Sequence, residues 1–305
     1  MIRRELSPIT DRHSEVVFAR PYNLPALRQM TSKPGFEVLL SDKLYEIRYC
    51  PESDLYFQTW VLEQHELADW YSSSDESVFL EEIRREKLHS FAHQTEEVLV
   101  LRQLCPAKTP VVLDFGCRWG KWGSMALAYG CDVYGIDVNP NACAFCAERG
   151  VKIVSIEQLE ELRFDFINCD QVVEHVSDPL GLVRMFSRCL KPGAFLKLST
   201  PANPRLPKLM SAAQSSDDDG ILDPIILDPL CPLEHVNLFS RPSLNRLAEN
   251  AGLAVYRPPF FKWFGAGQLW NMPRQLNRNF CTPFKRWLAQ GTYGWFRKIP
   301  HESDG

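Results

Sequence analysis

Apolar and polar positions change rhythm several times along the chain, and the most regular stretch lies in its middle. VVLDF (111–115) is a short apolar run, and residues 121–129 follow at helical spacing. DVYGIDV (132–138) predicts a second strand, and NACAFCAE (141–148) a second helix that Gly150 ends. KIVSI (152–156) predicts a third strand and FDFINCDQV (164–172) a fourth. Pro179 opens a helix reaching Cys189, and KPGAFLKLST (191–200) supplies a turn and a fifth strand. Strands separated by helices of about 10–15 residues predict a doubly wound, mostly parallel α/β sheet.

The flanks are less regular. Residues 1–80 are mixed, are broken by Pro8, Pro21, Pro25, Pro34 and Pro51, and read as an N-terminal elaboration. From Phe79 to Leu104, apolar residues such as Ile83, Leu88, Val98 and Leu101 recur at near-helical spacing among charges, until Pro106 and Pro110 close the helix. Beyond Pro201 regularity lapses until Leu233, so residues 203–232 read as a lid loop or a solvated linker. Ser240 is an N-cap candidate, with Pro242 in the first turn, for a helix that Gly252 ends. In the extension 257–305, Arg274, Arg278 and Lys285 interleave with Trp263, Trp270, Trp287 and Trp295. That mixture fits a packed C-terminal subdomain, a surface for an anionic or sugar substrate, or, less favoured, peripheral membrane contact.

Composition narrows the function classes. The chain has 305 residues, with 34 basic and 38 acidic, a net charge of −4. A dedicated nucleic-acid binder needs an excess of Lys and Arg, so that class is set aside. With 45% apolar and 24% charged residues, the composition is that of a globular protein. No apolar run approaches the roughly 18 residues of a spanning helix, and MIRRELSPITDRHSE lacks the apolar core of a secretory signal. The ten cysteines are therefore read as reduced thiols, and the expected location is cytoplasmic.

In an open α/β sheet, ligands bind beyond the carboxyl ends of the strands, near the first strand. That strand ends in LDFGCRWGKWG (113–123), whose glycines permit a tight turn and close approach of the backbone to a ligand. A dinucleotide G-x-G-x-x-G aligned on Gly120 and Gly123 puts Arg118 at its first glycine, and no G-x-x-x-x-G-K-[ST] is present. What remains is a strand ending in Asp114, then Gly116 and Gly120, with a second strand ending at Asp137.

With these pieces in order, together with FDFINCDQVVEHVSDP (164–179), LKPGAFLKLSTP (190–201) and HVNLFSRPSLNRLAENAGL (235–253), the chain resembles the class I S-adenosylmethionine-dependent methyltransferases. VVEHVSDP and HVNLFSRPSL look most like the ubiquinone-type O-methyltransferases and related sugar or small-metabolite methyltransferases. The resemblance implies a Rossmann-like seven-stranded sheet over residues 81–256, parallel except for one strand, with S-adenosylmethionine as cofactor. It implies that Asp114 serves the methionine ammonium, that Gly116 and Gly120 pass beneath the cofactor, and that Asp137 accepts hydrogen bonds from the ribose hydroxyls. The backbone around Gln158 would flank the adenine, and Asp170 and Gln171 would face the methyl group. His175 or His235 would take a proton from a hydroxyl acceptor.

Two departures stand out. Arg118 occupies a position where the family usually has Gly. Of the cysteine-rich zinc module that relatives often carry, only Cys50 is present, and a structural zinc needs four ligands, so no metal is expected. The expected activity is methyl transfer to a small-molecule acceptor, at a hydroxyl oxygen. The alternative is an inactive methyltransferase fold that binds or scaffolds, with Arg118 as its sequence support.

Overall fold

The computed structural model describes residues 1–22, 27, 42–63, 66, 89–202, 205–214, 228–259 and 292–300. The expected helix start at 79–88, residues 215–227 and the aromatic–basic stretch 260–291 lie outside the described residues. Five strands come first: β1 (Ile2–Arg3), β2 (Glu15–Pro21), β3 (Leu44–Cys50), β4 (Leu55–Gln58) and β5 (Trp60–Val61). Then follow α1 (His89–Leu104), β6 (Val111–Phe115), α2 (Lys121–Ala128), β7 (Asp132–Ile136), α3 (Pro140–Ala147), β8 (Lys152–Ile153), α4 (Ile156–Leu159) and β9 (Phe164–Asp170). The remainder is α5 (Pro179–Cys189), β10 (Leu190–Ser199), α6 (Leu206–Gln214), β11 (Asn237–Phe239), α7 (Arg241–Asn250), β12 (Leu253–Tyr256) and β13 (Tyr293–Lys298).

The main sheet has seven strands in the order β12-β13-β10-β9-β6-β7-β8. Strands β6 to β10 pair in parallel, and β13 runs antiparallel to both of its neighbours. Alternation along each strand sends Val112, Phe166, Phe195 and Trp295 to one face, against Val98 and Leu101 of α1 and Trp122 of α2. Leu113, Ile167, Leu196 and Phe296 go to the other face, against Val183 and Phe186 of α5 and Leu244 and Leu247 of α7. Both faces are covered, which is why these strands read as apolar runs. Local chemistry sets the helix starts: Asp178 caps α5 ahead of Pro179, and Ser240 and Ser243 form a capping box on α7.

Two stretches differ from expectation. Residues 206–214, within the stretch expected to be irregular, form α6, because Leu206 and Met210 bury themselves in a second core with Phe18, Tyr45, Ile47, Leu230 and Leu233. Residues 293–298, expected in a separate extension, supply β13 of the main sheet, with Trp295 and Phe296 buried on its opposite faces. Period 2 is hard to read in a strand of six residues flanked by charges.

The N-terminal region is also more ordered than its prolines suggest. Strands β2, β3 and β4 continue into β11 to form an antiparallel sheet ordered β11-β4-β3-β2. Two buried side chains fasten it. The Gln58 amide nitrogen donates to the carbonyls of Leu230, Cys231 and His235, and its oxygen accepts the Leu233 N–H. The Arg4 guanidinium donates to the carbonyls of Gln58, Val236 and Ser177 and to Asn237 Oδ1 at 2.9 Å. Burial pulls Arg4 down to about 9, so it stays charged at neutral pH.

Arg4→Met would leave these buried acceptors without their donor. At about 1–3 kcal/mol per unsatisfied group, partly relieved by removing a buried charge, the expected loss of stability is about 2–4 kcal/mol. Urea unfolding checks it, and a midpoint unchanged from wild type would mean that Arg4 fastens nothing.

Candidate functional site

The order of strands reverses around β6, which has β7 on one side and β9 on the other, so the loops after these three strands converge at one end of the sheet. Gly116 (φ 74°) and Gly120 (φ 70°) are left-handed. A Cβ on Gly116 would lie 2.5 Å from Val172 Cγ2, and one on Gly120 would lie 2.8 Å from Cys146 Sγ. These positions need glycine both for backbone conformation and for space. The contact to Val172 also shows that the loop after β6 rests on the loop after β9.

Asp114, 3% exposed, lies beneath this loop: Oδ1 accepts from Asn168 Nδ2 at 2.8 Å and Oδ2 from the Gly123 N–H at 3.1 Å. Burial pushes its carboxyl up to about 7. Asp114 thus ties the first turn of α2 to β6, with both oxygens occupied. Asp137, half-buried just past β7, accepts the Arg118 N–H at 2.7 Å and the Asn139 N–H at 2.9 Å. Gln158 is exposed on α4, where its side chain and backbone N–H form a capping box with Ser155.

At the end of β9, Asp170 accepts from the Ser199 hydroxyl and pairs with Lys197 Nζ at 3.4 Å. Lys197 is buried and also meets Glu97 Oε2 of α1 at 2.8 Å. Burial alone would lower the Lys197 pKa, but the charges of Asp170 and Glu97 hold it above the ordinary value. Gln171 is exposed, left-handed at φ 55°, and donates its N–H to Ser199 O.

One turn further on, Glu174, His175 and His235 come together. The two imidazole rings are 4.7 Å apart, and Glu174 Oε1 is 3.9 Å from His175 Nε2. His235 is carried there by the backbone: the N–H groups of Val236 and Asn237 donate to Glu174 O, and Asn237 Nδ2 donates to Val173 O and Val176 O. His175 Nδ1 lies 2.8 Å from Glu234 O, and a carbonyl only accepts, so Nδ1 carries a proton; the ring also meets the Gln171 backbone. Burial, then the charges of His235 and Arg118, lower His175 to about 4. Burial raises Glu174 to about 8, and neither of its carboxylate oxygens accepts a hydrogen bond from another described residue.

Ligand atoms of these three residues lie within 4.8 Å of one another, a donor set that suits either a proton or a divalent cation. The expectation of no metal weighed the missing zinc ligands around Cys50 and not this trio. Sequence reasoning also missed Glu97 and Lys197. The signal was present: a lysine inside AFLKLS, between residues that must be buried, needs a buried counter-charge.

Sheet order, the single antiparallel strand and the glycine loop define a class I S-adenosylmethionine-dependent methyltransferase fold. Residues 80–257, more than half of the chain, match a family model described as a methyltransferase domain, and the chain belongs to that family. It is 31% identical over 109 residues to the ubiquinone biosynthesis O-methyltransferase of Leptothrix cholodnii, covering 29% of this chain and 43% of that one. It is 33% identical over 100 residues to the protein of that name from Xanthomonas oryzae pv. oryzae, covering 29% and 42%. The chain thus spans less than half the length of these curated relatives. Among solved structures, the plantazolicin methyltransferase BpumL in complex with a pentazolic desmethylPZN analog and SAH aligns with a TM-score of 0.49 at 14% identity, covering 76% of this chain and 95% of that one. Among the described residues, no helix is long and apolar enough to cross a membrane.

The buried carboxyls predict a pH effect on stability. Glu174 is raised to about 8 and Asp114 to about 7, so each contributes stability at low pH that is lost as pH rises through its folded value. His175, lowered to about 4 from 6.5, contributes above 6.5 and adds no slope there. Unfolding free energy should therefore fall between roughly pH 6.5 and 8, by up to about 1.4 kcal/mol per pH unit for each carboxyl. Glu174→Gln should flatten that slope in urea titrations; an identical slope would mean that Glu174 is ionised in the folded protein.

Proposed function

We propose that this chain binds S-adenosylmethionine and transfers its methyl group to a small-molecule acceptor at a hydroxyl oxygen, with the ubiquinone-type O-methyltransferases as the functional parallel. The observation that carries this reading is the convergence, at one end of the sheet, of a glycine loop and a half-buried Asp137 with the pair His175 and His235, whose rings are 4.7 Å apart.

In this reading the backbone at Gly116 and Gly120 passes close beneath the cofactor, where a Cβ has no room. Asp137 takes the ribose hydroxyls on lone pairs left over from its two backbone bonds, and the α4 segment around Gln158 borders the adenine. Asp114 acts from below, holding the loop and α2 in place. Asp170 and Gln171 border the methionine end. The bound sulfonium supplies an activated methyl group, so the protein's task is chiefly alignment, worth several kcal/mol of barrier. His175 is a neutral imidazole at neutral pH, and it orients the acceptor hydroxyl and takes its proton as the methyl–oxygen bond forms and the methyl–sulfur bond breaks.

Asp137→Ala is expected to weaken S-adenosylmethionine binding by about tenfold or more in calorimetry, from the loss of about 1.5–3 kcal/mol of charge-assisted hydrogen bonding. Asp137 also holds the Arg118 N–H, so the melting temperature is recorded alongside. Unchanged affinity in a folded variant removes Asp137 from the site. If the wild-type protein itself binds no cofactor, the fold is serving as a binding or scaffolding protein.

His175→Ala is expected to lower kcat by about 10²–10⁴ while leaving cofactor affinity in place. A variant with full turnover would show that the acceptor needs no base.

A further inference from the structure

A lysine inside a sheet needs counter-charges, and Lys197 has two of them. Its ammonium meets Glu97 Oε2 of α1 at 2.8 Å and Asp170 Oδ1 at 3.4 Å. The Lys197 and Glu97 side chains are 2% and 4% exposed, whereas that of Asp170 is 43% exposed. Glu97 is engaged on both sides, because its Oε1 meets His93 Nε2 at 3.3 Å. Two carboxylates thus share one lysine, and the negative charge left over falls at the open end, on Asp170. The Ser199 hydroxyl donates to the same oxygen as Lys197, Oδ1, and among the described residues no hydrogen bond reaches Oδ2.

The register of the sheet places this carboxylate. Asp114, Asn168 and Lys197 stand side by side on β6, β9 and β10, and Asn168 holds Asp114 Oδ1. Strand residues two apart share a face, so Asp170 stands on that face one step, about 7 Å, beyond the row, toward the end from which the loops leave. The same face carries α1 and α2, and the glycine loop turns onto it to begin α2 at Lys121. Phe115 pairs with Cys169, so Gly116, the next residue, leaves the sheet level with Asp170. Asp114, to which the family resemblance gives the methionine ammonium, is 3% exposed and has both oxygens occupied.

We propose that Asp170 binds the α-ammonium of S-adenosylmethionine through Oδ2, and that Lys197 and Ser199 are positioning residues that hold Oδ1 and so present Oδ2 to the ligand. An ammonium donates to a carboxylate through a charge-assisted bond, and a carboxylate already fixed on one oxygen loses little freedom when the ligand arrives. Glu97 completes the set by fixing the lysine from α1. The assignment rests on the methyl-transfer reading above.

The test measures calorimetric binding of three ligands to the full chain at neutral pH. They are S-adenosylhomocysteine, its analogue with hydrogen in place of the α-amino group, and 5′-methylthioadenosine, which lacks the amino-acid portion. Wild type should bind S-adenosylhomocysteine about tenfold or more tightly than the deamino analogue. In Asp170→Asn the donors Lys197 and Ser199 keep the amide oxygen, which turns the amide nitrogen toward the ammonium, and the preference should fall to within about twofold. Ser199→Ala should shrink it about threefold or more, and so should Glu97→Gln combined with Lys197→Met, which removes the buried cation together with its counter-charge. Every variant should bind 5′-methylthioadenosine within about twofold of wild type. No preference in wild type, a preference that survives in Asp170→Asn, or one unchanged in either folded positioning variant overturns the proposal. So does a loss that extends equally to 5′-methylthioadenosine, which would make the residue structural. If the Glu97→Gln, Lys197→Met protein does not fold, Ser199→Ala decides the positioning claim. Failure of wild type to bind any of the three ligands defeats the methyl-transfer reading itself.

Discussion

A buried guanidinium near the start of the chain, that of Arg4, holds the two ends of the candidate site together. It has no carboxylate partner among the described residues and instead donates to neutral oxygens of Gln58, Ser177, Val236 and Asn237. Those oxygens belong to the end of β4, the loop after β9 and the approach to β11. An unpaired buried cation persists only when hydrogen bonds replace its hydration, so the three segments cannot separate without exposing it. Asn237 extends the clamp, because its amide group joins Arg4 to the carbonyls of Val173 and Val176. Glu174, His175 and His235 ride on this frame. Their mutual distances follow from main-chain bonds, not from attraction between the side chains.

The electrostatics at this end of the sheet have a second, separate anchor. Lys197 is a permanent charge inside the main sheet, and Glu97 and Asp170 neutralise it from α1 and β9. On the sheet it stands in register with Asn168, which in turn stands beside Asp114, so a polar row crosses β10, β9 and β6. Breaking one member would strand the others without partners, at the high energy such groups carry in a low-dielectric interior. The row therefore fixes Asp114 and Asp170 with little tolerance. The Glu174 group is different: among the described residues no hydrogen bond reaches its carboxylate oxygens, and burial raises its proton affinity.

What could be read from the sequence follows the length and regularity of each signal. The α5 boundaries at Pro179 and Cys189 were legible because a cap, a proline and an amphipathic period agree. The Ser240 cap of α7 was legible for the same reason. The glycines were legible as loop formers, although only the structure shows that Val172 and Cys146 occupy the space a Cβ would need. The trio of Glu174, His175 and His235 was only half legible. Both histidines stood out as bases, but their adjacency depends on β11 joining β4, a pairing made across most of the chain. The strands before residue 63 and α6 were obscured because they form their core with each other, and neither has a complete apolar pattern alone.

This division has a consequence for how such a protein diversifies. The glycine loop, Asp114, Asp137 and α4 all lie within residues 80–257, the stretch that matches the methyltransferase-domain family. The second core, by contrast, combines β2 and β3 from before that stretch with α6 and the segment leading to β11 from inside it. Under the proposed activity the first set serves a cofactor that does not vary, and the second set borders the acceptor. Changes in β2 or β3 reach His235 through Gln58, whose amide binds the carbonyl of His235 itself. Asp137 is positioned by other bonds, to the N–H groups of Arg118 and Asn139 and to the Cys143 thiol of α3. The acceptor side can therefore be remodelled through the N-terminal sheet while the cofactor side stays as it is, because the buried bonds that position each side are not shared.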